Sequence, residues 1–237
     1  MTSAETVIAA GTELFRDRDP SAVDRWWAED FRQHSPLAPD GREGLRDLVQ
    51  HLPEDFRVEI VRVLDDRDLV AVHAVYEGLG PGPVVGFDVF RVAGGRIAEH
   101  WDVMAPLRHG PRGTRPQVDG PVEVTDRERT RDNKTLAAEW VETALIGHEP
   151  GMVQDHVAFD GVEDHAAGGD RCLYRRLHRV VGEGNFVLTV CEGVAASDRG
   201  RTVACYDLWR LEDGRIAEHW AVVQPEPEEM AHGNGML

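Results

Sequence analysis

His34, His73, Asp88, His100 and Asp102 stand in the first half of the 237-residue sequence, and His178, Asp207 and His219 in the second. Imidazole and carboxylate are the side chains whose proton affinity moves towards neutrality when burial or a neighbouring charge acts on them. An Asp desolvated among aromatic rings can take a proton from carbon next to a carbonyl, and an adjacent His can donate to the enolate oxygen. The segment His100-Trp101-Asp102 has the spacing for such a pair. On a strand, a period of two sends His100 and Asp102 to one face and Glu99 and Trp101 to the other. Asp102 is therefore the candidate base, with His100 or His34 as enolate stabiliser.

His73, Asp88, Trp101, Trp27 and Tyr76 are candidates for the wall of a substrate pocket, although Trp26 and Trp27 are as readily explained as packing of a helix on a sheet. Strict alternation would set Asp88 opposite Trp101 and away from His100. A bulge would reverse this, and the sequence leaves both open. In the second half His178, Asp207 and His219 are the candidates, but Ala221 stands where the first half has Asp102. No HxH, HxxxH or HExxH spacing is present, so no metal is expected. With no Gly-rich turn joining a strand to a helix and no GxSxG, no cofactor is expected either.

The elements that must position these residues occur twice. FDVFRVAGGRIAEHWDVM at 87–104 and YDLWRLEDGRIAEHWAVV at 206–223 align in register, a repeat of roughly 119 residues, about the size of one small domain. Gly94-Gly95 and Asp213-Gly214 supply the positive-φ pairs of type I′ turns, so each copy predicts a β-hairpin. Further strands are predicted at 56–64, 69–77, 171–181 and 185–192. Helices are predicted over 3–17, from Ser21 to about Asp30, over 42–51, and from a Thr125–Glu128 capping box to about Ile146. Gln33 and His34 then fall at a helix-to-loop junction ahead of Pro36.

Helices segregated from strands imply an α+β fold of two tandem cone-shaped domains, each a curved, mostly antiparallel sheet packed on helices. The expected organisation is a first domain over 1–107, a Pro/Gly-rich linker over 108–124, a second domain over 125–225 and a mobile or draped tail over 226–237. The second domain looks trimmed between Gly161 and Arg171, where a third helix would lie and Ala166–Asp170 reads as a turn.

A net charge of −17 argues against nucleic acid and anionic membranes as partners. Apolar content of 41% and charged content of 29% are those of a folded chain. Cys172, Cys191 and Cys205 have no CxxC spacing and read as buried thiols in a reducing compartment. The N-terminus lacks a basic and apolar leader, and a cytoplasmic location is the expectation.

Phe31-Arg-Gln-His34-Ser-Pro, Asp40-Gly-Arg-Glu-Gly44, Val70-Ala-Val-His73, and Asp88-Val-Phe-Arg91 running through to His100-Trp-Asp102 resemble the SnoaL-like polyketide cyclases, a branch of the nuclear transport factor 2-like superfamily. The second half resembles the same branch through Leu177-His-Arg179, Gly184-Asn-Phe-Val187 and Asp207 to Trp220. The resemblance implies a cone of three helices and a curved sheet. It also implies intramolecular aldol ring closure without a metal, by an Asp with a nearby His. Asp102 matches the last-strand Asp of the pattern, and His34, His73 and His100 match positions where relatives also carry His.

The paired strand histidines of the family stand as Val61 and His73 in the first half and as His178 and Val190 in the second. Members of this fold usually dimerise through their sheets, which implies an intramolecular pseudo-dimer here and leaves a further homodimer open. Two other readings stay open: a non-catalytic module binding a small apolar metabolite, and a metal-dependent enzyme using a His/carboxylate site.

Overall fold

The computed structural model describes residues 1–110, 115–149, 166–167 and 172–237. By contacts the chain divides into two units, Met1–Asp102 with Pro227–Met236, and Val103–Glu226 with Leu237.

In the first unit, helix α1 (Ser3–Gly11) starts from a capping box in which Thr2 accepts from the Glu5 backbone and the Glu5 side chain accepts from Thr2, and it runs on as a π-helical turn over Thr12–Arg16. Helix α2 (Ala22–Trp26) ends five residues in, where strand β1 (Trp27–Gln33) begins. The helix expected as far as Asp30 is thus a correction. Trp27 to Gln33 alternates well enough to pair, and this pairing, parallel to the last strand, decides the structure of the segment. Helix α3 (Gly41–His51) follows, then β2 (Arg57–Asp66), β3 (Leu69–Glu77), β4 (Val84–Ala93) and β5 (Arg96–Pro106). The sheet order is β1-β5-β4-β3-β2, antiparallel between β2 and β3 and between β3 and β4.

The second unit repeats this plan. Its helix α4 (Thr130–Trp140) follows a 3-10 turn and continues as a π-helical turn over Val141–Ile146. The expected Thr125–Glu128 capping box does not form. Asp126 takes a left-handed conformation, and the Thr125 amide donates to the Asn185 side chain instead. Strands β6 (Ala166–Ala167), β7 (Cys172–Glu183), β8 (Phe186–Ala195), β9 (Thr202–Glu212) and β10 (Arg215–Pro225) pair in the order β6-β10-β9-β8-β7. Ala166 and Ala167, expected as part of a turn, form the short strand parallel to β10. The shortened third helix expected between 161 and 171 otherwise lies outside the described residues.

Both expected tight turns form, with positive φ at Gly94, Gly95, Asp213 and Gly214. The sheets also share a bulge. Register slips by one residue at Val61 in β2 and at His178 in β7, the two positions where the halves exchange a histidine. In the second unit the core joins Ala137 of α4 and Val141 of the π-helical turn to Val187, Cys191, Trp209, Ile216 and Val223, so the helix covers the sheet face carrying the odd-numbered residues of β8 and β9. The described part of the expected linker packs on this unit, where the Trp220 indole donates to the Asp119 carbonyl.

The expectation of three reduced thiols is corrected. Cys172 and Cys205 form a disulfide between β7 and β9, passing over Gly193 of the intervening strand, where a Cβ would collide with the Cys172 sulfur. Cys191 is free and buried. The bond closes a 33-residue separation, so loss of loop entropy from the unfolded chain stabilises the unit by about 3–4 kcal/mol. Cys205→Ala should lower the unfolding free energy by that order. Thiol titration of the denatured, unreduced chain should find one reactive group, and finding three would refute the bond.

Candidate active site

Cross-strand pairing of Val72 with Asp88 puts Tyr76 and Asp88 on one face of the sheet. His100 joins them from β5, its Nε2 3.0 Å from Asp88 Oδ1, so the alternative in which Asp88 points away from His100 is the one the fold rejects. Asp102, two residues on, shares that face. The Tyr76 hydroxyl donates to Asp88 Oδ2, Ser35 bonds Asp102 through its side chain, and Phe90 stacks on the His100 ring at 4.6 Å. Asp88 and Asp102 are 6% and 3% exposed, so the cluster works away from bulk water.

Gln33 holds the other end of the imidazole. Its Oε1 accepts from the amides of His34 and Ser35 at 3.1 and 3.0 Å, which identifies this atom as the oxygen, and it lies 2.8 Å from His100 Nδ1. Nδ1 must therefore carry a proton. Nε2 faces a second acceptor, and the ring is best satisfied as the imidazolium, donating at both ends. Burial pulls the His100 proton affinity down, but the bond to Asp88 and the charges of Asp102 and Asp88 together raise it above the ordinary value. Asp102 is pushed up to about 6, first by burial and then by Asp88, against the opposing effects of His100 and Ser35. Tyr76 is held well above the usual phenol range by burial and Asp88.

The remaining first-half candidates go elsewhere. His34 follows Gln33 and so takes the opposite face, its ring stacked on Trp101 at 4.9 Å and its Nε2 3.0 Å from Glu99 Oε1. Arg91 donates to the other Glu99 oxygen. His73 pairs with Phe87, not Asp88, and lies on that opposite face, stacked on Phe87 with its Nδ1 3.0 Å from Arg62. Trp27 is buried at the start of β1, roughly 20 Å along the strand from Gln33. Of the expected set, the fold gathers Asp102, His100, Asp88 and Tyr76, and leaves His34, His73, Trp101 and Trp27 apart from them. Ser35 and Gln33 complete the cluster. Gln33 was legible only as a polar residue beside His34.

In the second unit Asp207 and His219 meet at 2.9 Å, because a bulge at Ala217 brings His219 onto the Asp207 face. Thr189 pairs with Asp207 as Val72 does with Asp88, so Gly193 occupies the position of Tyr76. The phenol comes instead from Tyr174, which pairs with Gly193 and donates to Asp207 Oδ1 at 2.9 Å. His178 lies off this face, 3.3 Å from Glu192, with its proton affinity lowered by burial and by Arg176 and Arg179. Ala221 leaves the second cluster without a second carboxylate.

Asp88, His100 and Asp102 also offer three ligand atoms within 4.8 Å of one another. With Nδ1–H bonded to Gln33, a neutral His100 would present its Nε2 lone pair to that space, an orientation that suits metal ligation.

Residues 8–100, within the first unit, match the family model described as a SnoaL-like domain. Among solved structures, wild-type IdmH from Streptomyces antibioticus, assigned as a polyketide cyclase, is 25% identical over 44% of this chain and 92% of its own, with a TM-score of 0.37. A protein from Kribbella flavida assigned as a ketosteroid isomerase is 25% identical over 52% of this chain and 95% of its own, with a TM-score of 0.38. TsrD from Streptomyces laurentii is 21% identical over 43% of this chain and 87% of its own, with a TM-score of 0.38. No curated protein matches the sequence.

The raised values fix the sign of a pH effect. A carboxyl whose folded pKa lies above its unfolded one loses stability as pH rises between the two, here from about 4 to about 6 for Asp102. His100, also raised, contributes stability that is full below its unfolded value and lost as pH climbs through the folded one. Urea unfolding at pH 4.5 and 7.5 should therefore show the native chain losing on the order of 2 kcal/mol relative to Asp102→Asn. Parallel curves for the two proteins would contradict the burial of an ionisable Asp102.

Proposed function

We propose that the first unit is an enzyme that moves a proton next to a carbonyl of a bulky apolar small molecule, giving aldol-type cyclisation or isomerisation without a cofactor. Asp102 takes the proton from carbon. The enolate oxygen accepts from His100 or Tyr76, displacing one of their bonds to Asp88. The protonated Asp102 then returns its proton, to a different carbon in an isomerisation or to the new alkoxide after attack on a second carbonyl. His34 has no part in this scheme, since its ring lies on the other face of the sheet.

The observation that supports the reading is a buried carboxyl with a pKa of about 6, beside an imidazole fixed at both nitrogens. A base poised near neutrality is matched to carbon acids of modest acidity. Deuterium incorporation next to the carbonyl of a bulky apolar 1,3-diketone in heavy water tests the chemistry. Asp102→Asn should slow exchange by about 10²- to 10⁴-fold, and His34→Gln by less than about tenfold. The native rate should fall as pH drops below about 6. Equal exchange by native and Asp102→Asn proteins would end the proposal. A ligand-dependent rise in melting temperature without exchange would instead favour a non-catalytic binding module.

A second reading rests on the three convergent ligand atoms, with Asp88, His100 and Asp102 holding a divalent ion. Elemental analysis of the purified chain decides it: a stoichiometric metal lost in His100→Ala supports it, and a metal content near zero removes it.

No helix among the described residues is long and apolar enough to cross a membrane. A cytoplasmic setting belongs to the same proposal, and the Cys172–Cys205 bond is the observation that stands against it.

A further inference from the structure

The segment Pro227–Met236 follows the last strand of the second unit yet belongs by its contacts to the first. Expected as a mobile or draped tail, it makes three hydrogen bonds to three consecutive residues, two of which, Gln33 and Ser35, belong to the candidate site. The Asn234 side-chain amide donates to the Gln33 carbonyl at 2.9 Å, the Gly235 carbonyl lies 3.0 Å from His34 Nδ1, and His232 Nε2 donates to the Ser35 carbonyl at 2.9 Å. Met236 is buried.

These bonds fall where the first unit has a gap to fill. β1 ends at Gln33 and, among the described residues, is an edge strand, so its outer side has no neighbouring strand to satisfy its backbone. The segment is held from the other directions as well. The Gln33 amide donates to Asp40 Oδ1 at 2.8 Å, the His34 amide donates to the His100 carbonyl at 2.9 Å, and Asn234 also bonds the Asp40 side chain. From this segment the Gln33 side chain reaches His100 and the Ser35 side chain reaches Asp102. A displacement of about 1 Å at their backbone would break the Gln33–His100 bond outright.

We infer that the segment Pro227–Met236 is a working part of the first unit's site, with His232 and Asn234 as positioning residues that hold Gln33 and Ser35 and, through them, His100 and Asp102. The inference rests on Asp88, His100 and Asp102 being a working cluster. It extends that cluster to a stretch of chain more than a hundred residues away in sequence. Side chains that act through an intermediary of this kind fix the orientation and proton placement of the groups they support.

The test reads the His100 proton directly and so does not need turnover. In nitrogen-15 spectra of the full chain, the Nδ1–H of His100 should be slow to exchange with water. Asn234→Ala and His232→Ala should each speed that exchange by at least about tenfold without lowering the melting temperature of the first unit. His232→Gln, which keeps a donor, should restore most of the protection. In the deuterium-exchange assay the same Ala variants should lower kcat about tenfold and leave KM nearly unchanged.

Unchanged His100 exchange in both Ala variants would overturn the inference, whether or not the native protein turns over a ketone. Altered His100 exchange in a protein with no turnover would keep the inference and reject the proposed reaction. If His232→Ala fails to fold, Asn234→Ala decides the matter by the same spectrum.

Discussion

One imidazole between two buried carboxylates is the constraint on which the first unit depends. His100 donates to Asp88 and stands beside Asp102, whose proton affinity its charge lowers against the effect of burial. At the far nitrogen Gln33 Oε1 accepts and holds the ring in place. A single amide oxygen, itself pinned by two backbone N–H groups, therefore orients the ring that faces both carboxylates.

Alternation along β5 divides the unit's ionisable groups into two circuits. Asp88, His100 and Asp102 lie on one face with Tyr76 and Ser35, while Arg91, Glu99 and His34 form a hydrogen-bonded chain on the other. Glu99 resists ionisation through burial, yet its bonds to His34 and Arg91 hold it below the usual carboxylate range. The two circuits adjoin at Gln33 and His34, neighbours in sequence whose side chains leave on opposite sides.

The split between faces was legible in the sequence, because a period of two is intrinsic to a strand and His100-Trp-Asp102 needs nothing else. The hairpin turns and most strands were legible for the same local reason. Gln33 was not. Its role depends on parallel pairing between β1 and β5, a contact across 67 residues, and the Trp-rich approach to it resembled a helix. The bulges at Val61 and Ala217, the disulfide between non-adjacent strands and the docking of the C-terminal segment are likewise tertiary choices. The exchange of histidines between the halves was visible as a pattern, but not that it falls on a register slip.

The phenol that reaches Asp207 arrives from β7, whereas its counterpart at Asp88 belongs to β3, the equivalent of β8. Moving the hydroxyl one strand outward empties position 193 to a bare glycine, and the vacated space is where the Cys172 sulfur passes. The halves are thus unequal by more than one missing acid. Grafting a carboxylate at Ala221 would place it beside a hydrogen-bond web fed from a different direction, and divergence between the copies has become geometrically locked.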